Sequence, residues 1–260
     1  MIDVRAAADL LFHSWSNGLR MEALPADVRP STRAEGYGIQ ALVERRSAFP
    51  LFGWKIAATS KAGQTHINVD GPLAGRLLRE RVKASGETVS FGTHAQMRVA
   101  EAEFAFRIAR PLAPRSRPYE AGEVLDAVAA LHPAIELPDS RFDDFTIVGA
   151  PQLIADNACA HYFVLADAAP DLWRGLDLVE HRVLGRVQGK LEREGRGANV
   201  LGDPRIALTW LVNELSGLGI TLAAGQVVTT GTCLVPLEIE AGDRVHMDFG
   251  SLGSVAALVQ

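Results

Sequence analysis

The eight residues from Val99 to Phe106, Val-Ala-Glu-Ala-Glu-Phe-Ala-Phe, constrain this chain more than any other stretch. Branched and aromatic residues set in alternation predict a β-strand. Strand side chains two apart share a face, so Glu101 and Glu103 stand side by side, with small Ala100 and Ala102 behind them. Two carboxylates about 4 Å apart repel by roughly 4 kcal/mol at an effective dielectric of about 20. Solvent offsets that cost if the face is open, which is the commoner arrangement because Glu is rarely buried unpaired. A hard divalent cation offsets it if the face is closed, since Mg²⁺ takes carboxylate oxygens and keeps positions for a substrate. The strand alone leaves both readings standing.

The rest of the chain narrows the setting. With 260 residues and 48% hydrophobic content, it can bury a sizeable core as one large domain or a small one plus a larger one. A formal net charge of −5 without any Lys/Arg-rich block argues against nucleic-acid and membrane-surface partners. The first residues lack a signal-peptide pattern, and no apolar run approaches the ~20 residues of a membrane span. Cys159 and Cys233 make neither a metal spacing nor a disulfide framework, so the expectation is a cytoplasmic protein with reduced thiols.

Residues 2–17 carry Val4, Ala7, Ala8, Leu11 and Trp15 at helical spacing, with Gly18 as the stop. Thr32 and Glu35 form a capping-box pattern that opens a second helix striped by Ile39, Leu42 and Val43. Residues 1–48 thus read as a helical region preceding a β-rich domain over 49–260. Leu51–Ala57 reads as an apolar strand holding Lys55. That lysine either lays its stem along apolar surface or holds a positive charge in a pocket. Ser60 predicts a short helix, and Asp70-Gly71-Pro72 a turn. Residues 73–96 read as loop and weak strand punctuated by Gly86 and Gly92, with Arg76, Arg79, Arg81 and Lys83 as a solvated face. Glu123–Leu131 reads as a helix, and Glu136 lies between Ile135 and Leu137 in a short strand. A hairpin about Gln188-Gly189, a helix opening at Asp203-Pro204, a strand over 226–232 running into a hydroxyl-rich Gly turn, and two closing strands complete the chain. His132, His161 and His246 lie in apolar contexts and show no metal-ligand spacing.

Taken in order, Gly53-Trp54-Lys55-Ile56-Ala57-Ala58-Thr59-Ser60, Val69-Asp70-Gly71-Pro72, Glu101-Ala102-Glu103-Phe104-Ala105-Phe106, Ile135-Glu136-Leu137-Pro138-Asp139-Ser140-Arg141, Ile154-Ala155-Asp156-Asn157-Ala158 and Gly250-Ser251-Leu252-Gly253-Ser254-Val255 form a set. The set resembles the 2-keto-4-pentenoate hydratase and 4-oxalocrotonate decarboxylase branch of the fumarylacetoacetate hydrolase superfamily. The resemblance implies an α+β fold, a mixed β-sheet roll with a small helical N-terminal region, in dimers or assemblies of dimers. It implies Mg²⁺ or Mn²⁺ on Glu101, Glu103 and Glu136, catalytic roles for Lys55 and Asp70, and substrate contact at Gly231 and Thr232. The implied activity, in aromatic-compound catabolism, is a hydro-lyase's: water adds to a 2-hydroxy-2,4-dienoate to give a 4-hydroxy-2-oxo acid. The alternatives are decarboxylation of a 4-oxalocrotonate-type 2-oxo acid, a C–C hydrolase, or a non-catalytic partner subunit.

Overall fold

The computed structural model describes residues 2–91 and 95–260, and the expected break at Gly92 lies outside the described residues. Six α-helices and thirteen strands are present among them. The helices are α1 (Val4–Asn17), α2 (Arg33–Glu44), α3 (Lys61–His66), α4 (Ala121–Leu125), α5 (Ala150–Ala155) and α6 (Pro204–Gly217). One sheet takes β1 (Gly53–Ala57), β2 (Leu73–Leu77), β3 (Val82–Ala84), β5 (Val99–Ile108), β6 (Val128–Leu137), β7 (Tyr162–Leu165), β10 (Val227–Thr232) and the short β11 (Leu237–Glu238). The other takes β4 (Thr88–Val89), β8 (Arg182–Val187), β9 (Leu191–Arg196), β12 (Arg244–Asp248) and β13 (Ser254–Val259). The α+β arrangement of mixed sheets behind a helical N-terminal segment is the expected one.

The first sheet runs β2-β1-β10-β5-β6-β7-β3, with β11 on the start of β5. β1 and β10 are parallel, and β10, β5 and β6 pair antiparallel in turn. The alternation of β5 sorts its two faces. Ala100, Ala102, Phe104 and Phe106 join a core with Val183, Val187, Val245, Met247 and Val255 of the second sheet. There Phe104 meets Phe249 edge-to-face at 5.2 Å, a pairing that adds to the roughly 1.5–3 kcal/mol of burying each ring. The opposite face holds Glu101, Glu103 and Ala105. Directly across from these on β6 stand Glu136, Ala134 and His132.

The caps behave as their residue types require. Thr32 accepts from the Glu35 amide while Glu35 accepts from the Thr32 amide, closing the capping box of α2. Asp203 accepts from the Arg205 amide at 2.8 Å, with Pro204 as the first residue of α6. Helix α1 buries Ala7, Ala8, Leu11 and Trp15 in a cluster with Ile39 and Val43 of α2 and with Leu78, Phe142 and Ala155.

Two expectations give way. Leu73–Leu77 is a fully buried strand rather than loop, and Arg76 within it is 4% exposed instead of part of a solvated face. Its guanidinium lies over the Trp54 ring at 4.6 Å and pairs with Glu44 and Gln40 of α2. The helix expected over Glu123–Leu131 stops at Leu125, and Val128 and Leu131 belong to β6. Val124, Val128 and Leu131 share helical spacing, but pairing with β5 from Val128 to Glu136 claims the latter two for the sheet.

Candidate metal site

Four neighbouring strands build one cluster. Register sets Lys55 of β1 beside Thr229 of β10, Thr229 beside Ala105 of β5, and Glu101 of β5 opposite Glu136 of β6. Strand partners share a face, so lysine and carboxylates converge. One carboxylate oxygen from each of Glu101, Glu103 and Glu136 lies within 4.8 Å of the other two. Glu103 and Glu136 are buried and Glu101 is partly so.

The lysine is held rather than free. Lys55 is 3% exposed, its Nζ lies 2.9 Å from Glu136 Oε1, and it donates to the Ala158 carbonyl at 3.0 Å. Burial by itself pushes the Lys55 pKa down, but the field of Glu136, then Glu101 and Glu103, outweighs it and holds the ammonium at about 12. Burial, reinforced by Glu136, raises Glu101 to about 7 against the pull of Lys55. Burial and the fields of Glu136 and Glu101 drive Glu103 well above the usual carboxylate range. Like charges are crowded here with one counter-charge.

The free oxygens say what the residues fit. Glu103 Oε2 accepts from the Thr229 hydroxyl and from the Gly231 amide at 2.9 Å. Among the described residues, Glu103 Oε1 and both oxygens of Glu136 have no hydrogen-bond partner, and Glu103 Oε1 and Glu136 Oε2 have no ion-pair partner either. A buried charged oxygen without a partner is costly, and two beside one another mark a place for a cation. All three donors are hard carboxylate oxygens, the ligand type of Mg²⁺, Mn²⁺ or Ca²⁺ rather than of a thiolate- or imidazole-seeking metal. Three carboxylates and one ammonium sum to −2, which a divalent ion balances. The residues present therefore fit a divalent cation.

The support beneath Lys55 comes from a strained turn. Asn157, Ala158 and Cys159 take φ of 56°, 51° and 61°, three consecutive left-handed residues, none of them glycine. The Asn157 side chain accepts from the Arg76 amide at 2.7 Å and donates to the Arg76 carbonyl at 2.8 Å. Asp156, just before the turn, is ion-paired with Arg141. Gly75, across from Lys55 on β2, leaves the room: a Cβ there would stand 2.5 Å from the Asn157 carbonyl and 2.9 Å from the lysine stem.

The structure brings Lys55, Glu101, Glu103, Glu136 and Gly231 together. It does not bring Asp70 to them: that side chain is 86% exposed and pairs with Arg33 at 2.9 Å, at the foot of α2. Thr232 stands at the turn, but its hydroxyl donates to the Leu234 carbonyl at 2.7 Å. Sequence reasoning missed Thr229 as the hydroxyl on Glu103, and Asn157 as the residue gripping β2. The only sequence signal for either was membership of a hydroxyl-rich strand end and of an Asp-Asn pair. A surface groove of about 690 Å³ over Arg186, Lys190, Arg244, His246 and Ala256 lies on the second sheet and touches none of these residues.

The family model for the fumarylacetoacetate (FAA) hydrolase C-terminal region matches residues 74–260. The chain is 30% identical to 2-keto-4-pentenoate hydratase 1 of Dechloromonas aromatica over 99% of this chain and 97% of that one. It is also 30% identical to 2-oxo-hept-4-ene-1,7-dioate hydratase of Escherichia coli, over 91% and 90%. Among solved structures it resembles 4-oxalocrotonate decarboxylase from Pseudomonas putida G7, complexed with magnesium and adipate, at a TM-score of 0.88 and 26% identity over 99% and 97% of the two chains.

Proposed function

Because the chain belongs to the fumarylacetoacetate hydrolase family, we propose that it is a Mg²⁺-dependent hydratase. On this reading it adds water to a 2-hydroxy-2,4-dienoate and yields a 4-hydroxy-2-oxo acid. The observation that carries the proposal is the convergence of Glu101, Glu103 and Glu136 beside a buried Lys55, with two carboxylate oxygens unpartnered among the described residues. Full-length relatives named as hydratases support it.

Glu101, Glu103 and Glu136 would hold the ion. Bound there, it supplies Lewis-acid polarisation of a 2-oxo acid's 2-oxygen. Thr229 and the Gly231 amide both bond Glu103 Oε2, which turns Oε1 into the cluster. An ammonium has three N–H donors; Lys55 gives one to the Ala158 carbonyl, and its ion pair with Glu136 Oε1 takes up a second side of the group. The third is left for a substrate oxygen, where a fixed positive charge stabilises developing negative charge and a proton can be delivered. Proton handling is thus assigned to Lys55, with Asp70 in its exposed position taking no part. The sheet face excludes bulk water from one side of the site, and the cation, three carboxylates and lysine balance in charge.

A second reading, decarboxylation of a 4-oxalocrotonate-type acid, is favoured by the structural match to a decarboxylase solved with magnesium and a dicarboxylate. Both reactions place negative charge on the same 2-oxygen. Loss of 2-hydroxypentadienoate absorbance with added Mg²⁺ supports the hydratase. Release of CO₂ from 4-oxalocrotonate without hydration supports the alternative, and neither reaction in the presence of Mg²⁺ overturns both. Assembly into dimers and a role in aromatic-compound catabolism belong to the same proposal. Sedimentation of the purified chain checks the former.

A further inference from the structure

Four threonines meet at the Gly231 turn, and the hydroxyls of three are committed. Thr229 donates to Glu103 Oε2, Thr230 to the Phe104 carbonyl at 2.9 Å, and Thr232 to the Leu234 carbonyl at 2.7 Å. The fourth, Thr59, is different. It is 5% exposed, and its hydroxyl bonds to no described residue.

Its placement is specific. Strand β1 ends at Ala57, and Ala58 takes φ 60°, a left-handed conformation unfavourable for a residue with a Cβ. That twist swings Thr59 across to β10, where the Leu201 amide pins its carbonyl at 2.8 Å. Thr59 lands against Gly231: a Cβ on Gly231 would lie 2.1 Å from Thr59 Oγ1. Gly231 also has φ 91°, so both its conformation and its neighbour require glycine. The amide of the same Gly231 donates to Glu103. One glycine thus separates an unspent hydroxyl from a carboxylate of the cation cage.

We propose that Thr59 binds the substrate: its Oγ1–H donates a hydrogen bond to the carboxylate of the 2-oxo acid. This rests on the function proposed above. A 2-oxo acid that presents one carboxylate oxygen and its 2-oxygen to a cation keeps a second carboxylate oxygen that needs a donor. The Gly231 amide is spent on Glu103, as are the other three hydroxyls on their own acceptors, and Thr59 supplies the donor.

Oxalate is the probe, since it carries the carboxylate and adjacent oxygen without reacting. Calorimetric titration of oxalate into Mg²⁺-saturated protein should show Thr59→Val binding about tenfold or more weakly than wild type. Thr59→Ser, which keeps the hydroxyl, should bind within about threefold of wild type, and the thermal shift with Mg²⁺ alone should be equal in all three proteins. Steady-state KM should rise in Thr59→Val with kcat least affected, the signature of a contact made in ground and transition states alike. Oxalate binding unchanged in Thr59→Val, or equally weakened in Thr59→Ser, overturns the assignment, as does a lost shift with Mg²⁺ alone in Thr59→Val. Wild-type protein that takes neither Mg²⁺ nor oxalate overturns the proposed function itself, a result told apart from the others by the wild-type titration.

Discussion

Among the described residues Glu103 has two donors on Oε2 and none on Oε1, and that asymmetry decides what its replacement does. Glu103→Gln keeps the size and the acceptor for Thr229 and Gly231 but removes a charge that burial and Glu136 oppose. Without metal, the variant should therefore melt at or above the wild-type temperature, while its melting shift with Mg²⁺ disappears along with turnover. Differential scanning fluorimetry with and without Mg²⁺ reads both, and a wild-type-sized shift in the variant removes Glu103 from the cage. Thr229 acts one step further out. Thr229→Val should weaken Mg²⁺ about tenfold to a hundredfold while leaving the fold intact, because a hydrogen bond that orients a ligand oxygen is worth that much in metal affinity. An Mg²⁺ titration followed by thermal shift measures it, and an unchanged midpoint would place Glu103 under the control of Gly231 alone.

At the scale of elements, β2 and the left-handed turn depend on one another. β2 is the edge of its sheet, and the Asn157 amide group pairs with the Arg76 amide and carbonyl as a neighbouring strand would. Asn157→Ala leaves both groups of a 4% exposed residue unpaired, at about 1–3 kcal/mol for each, and gives up the residue type that tolerates φ of 56°. A lower urea midpoint with an unchanged m-value is the expected outcome, and a midpoint equal to wild type would show that the turn stands without its grip on β2. This dependence also explains what the sequence made legible. Alternation in Val99–Phe106 is local, so the strand and the two acids on one face are readable from the residues alone. Leu73-Ala74-Gly75-Arg76-Leu77 has no β-branched or aromatic residue and includes a charge, which reads as loop. It becomes a strand because Glu44, Gln40, Trp54 and Asn157, all distant in sequence, satisfy or cover it. Thr59 and Thr229 were invisible for a related reason: their importance lies in which hydroxyls are already bonded, and no sequence pattern records that.

The whole molecule is tied across its helical and β-rich parts at Trp15, whose indole N–H donates to His161 Nδ1 at 2.9 Å. Arg81 and Arg141 stack on the same indole at 5.1 and 4.8 Å, so the imidazole sits among cations. Burial first, then Arg81, Arg141 and Arg20, push the His161 pKa down to about 2. Protonation would also convert the acceptor of the Trp15 bond into a donor. In the unfolded chain the same group titrates near 6.5. Between about 6.5 and 2 the unfolded state therefore binds more protons than the folded one, and linkage makes stability rise with pH over that window. The contribution is fully present above 6.5 and declines as pH falls, by at most about 1.4 kcal/mol per unit. Glu101, raised to about 7, contributes the opposite slope in part of the same range. The informative quantity is therefore the difference between wild type and His161→Asn, in which Glu101 cancels and the amide oxygen still accepts from Trp15. Urea midpoints at pH 7 and pH 5 should show wild type losing more stability than the variant. Equal losses would mean that His161 is protonated in the folded protein and that the Trp15 junction is held by stacking and apolar packing instead.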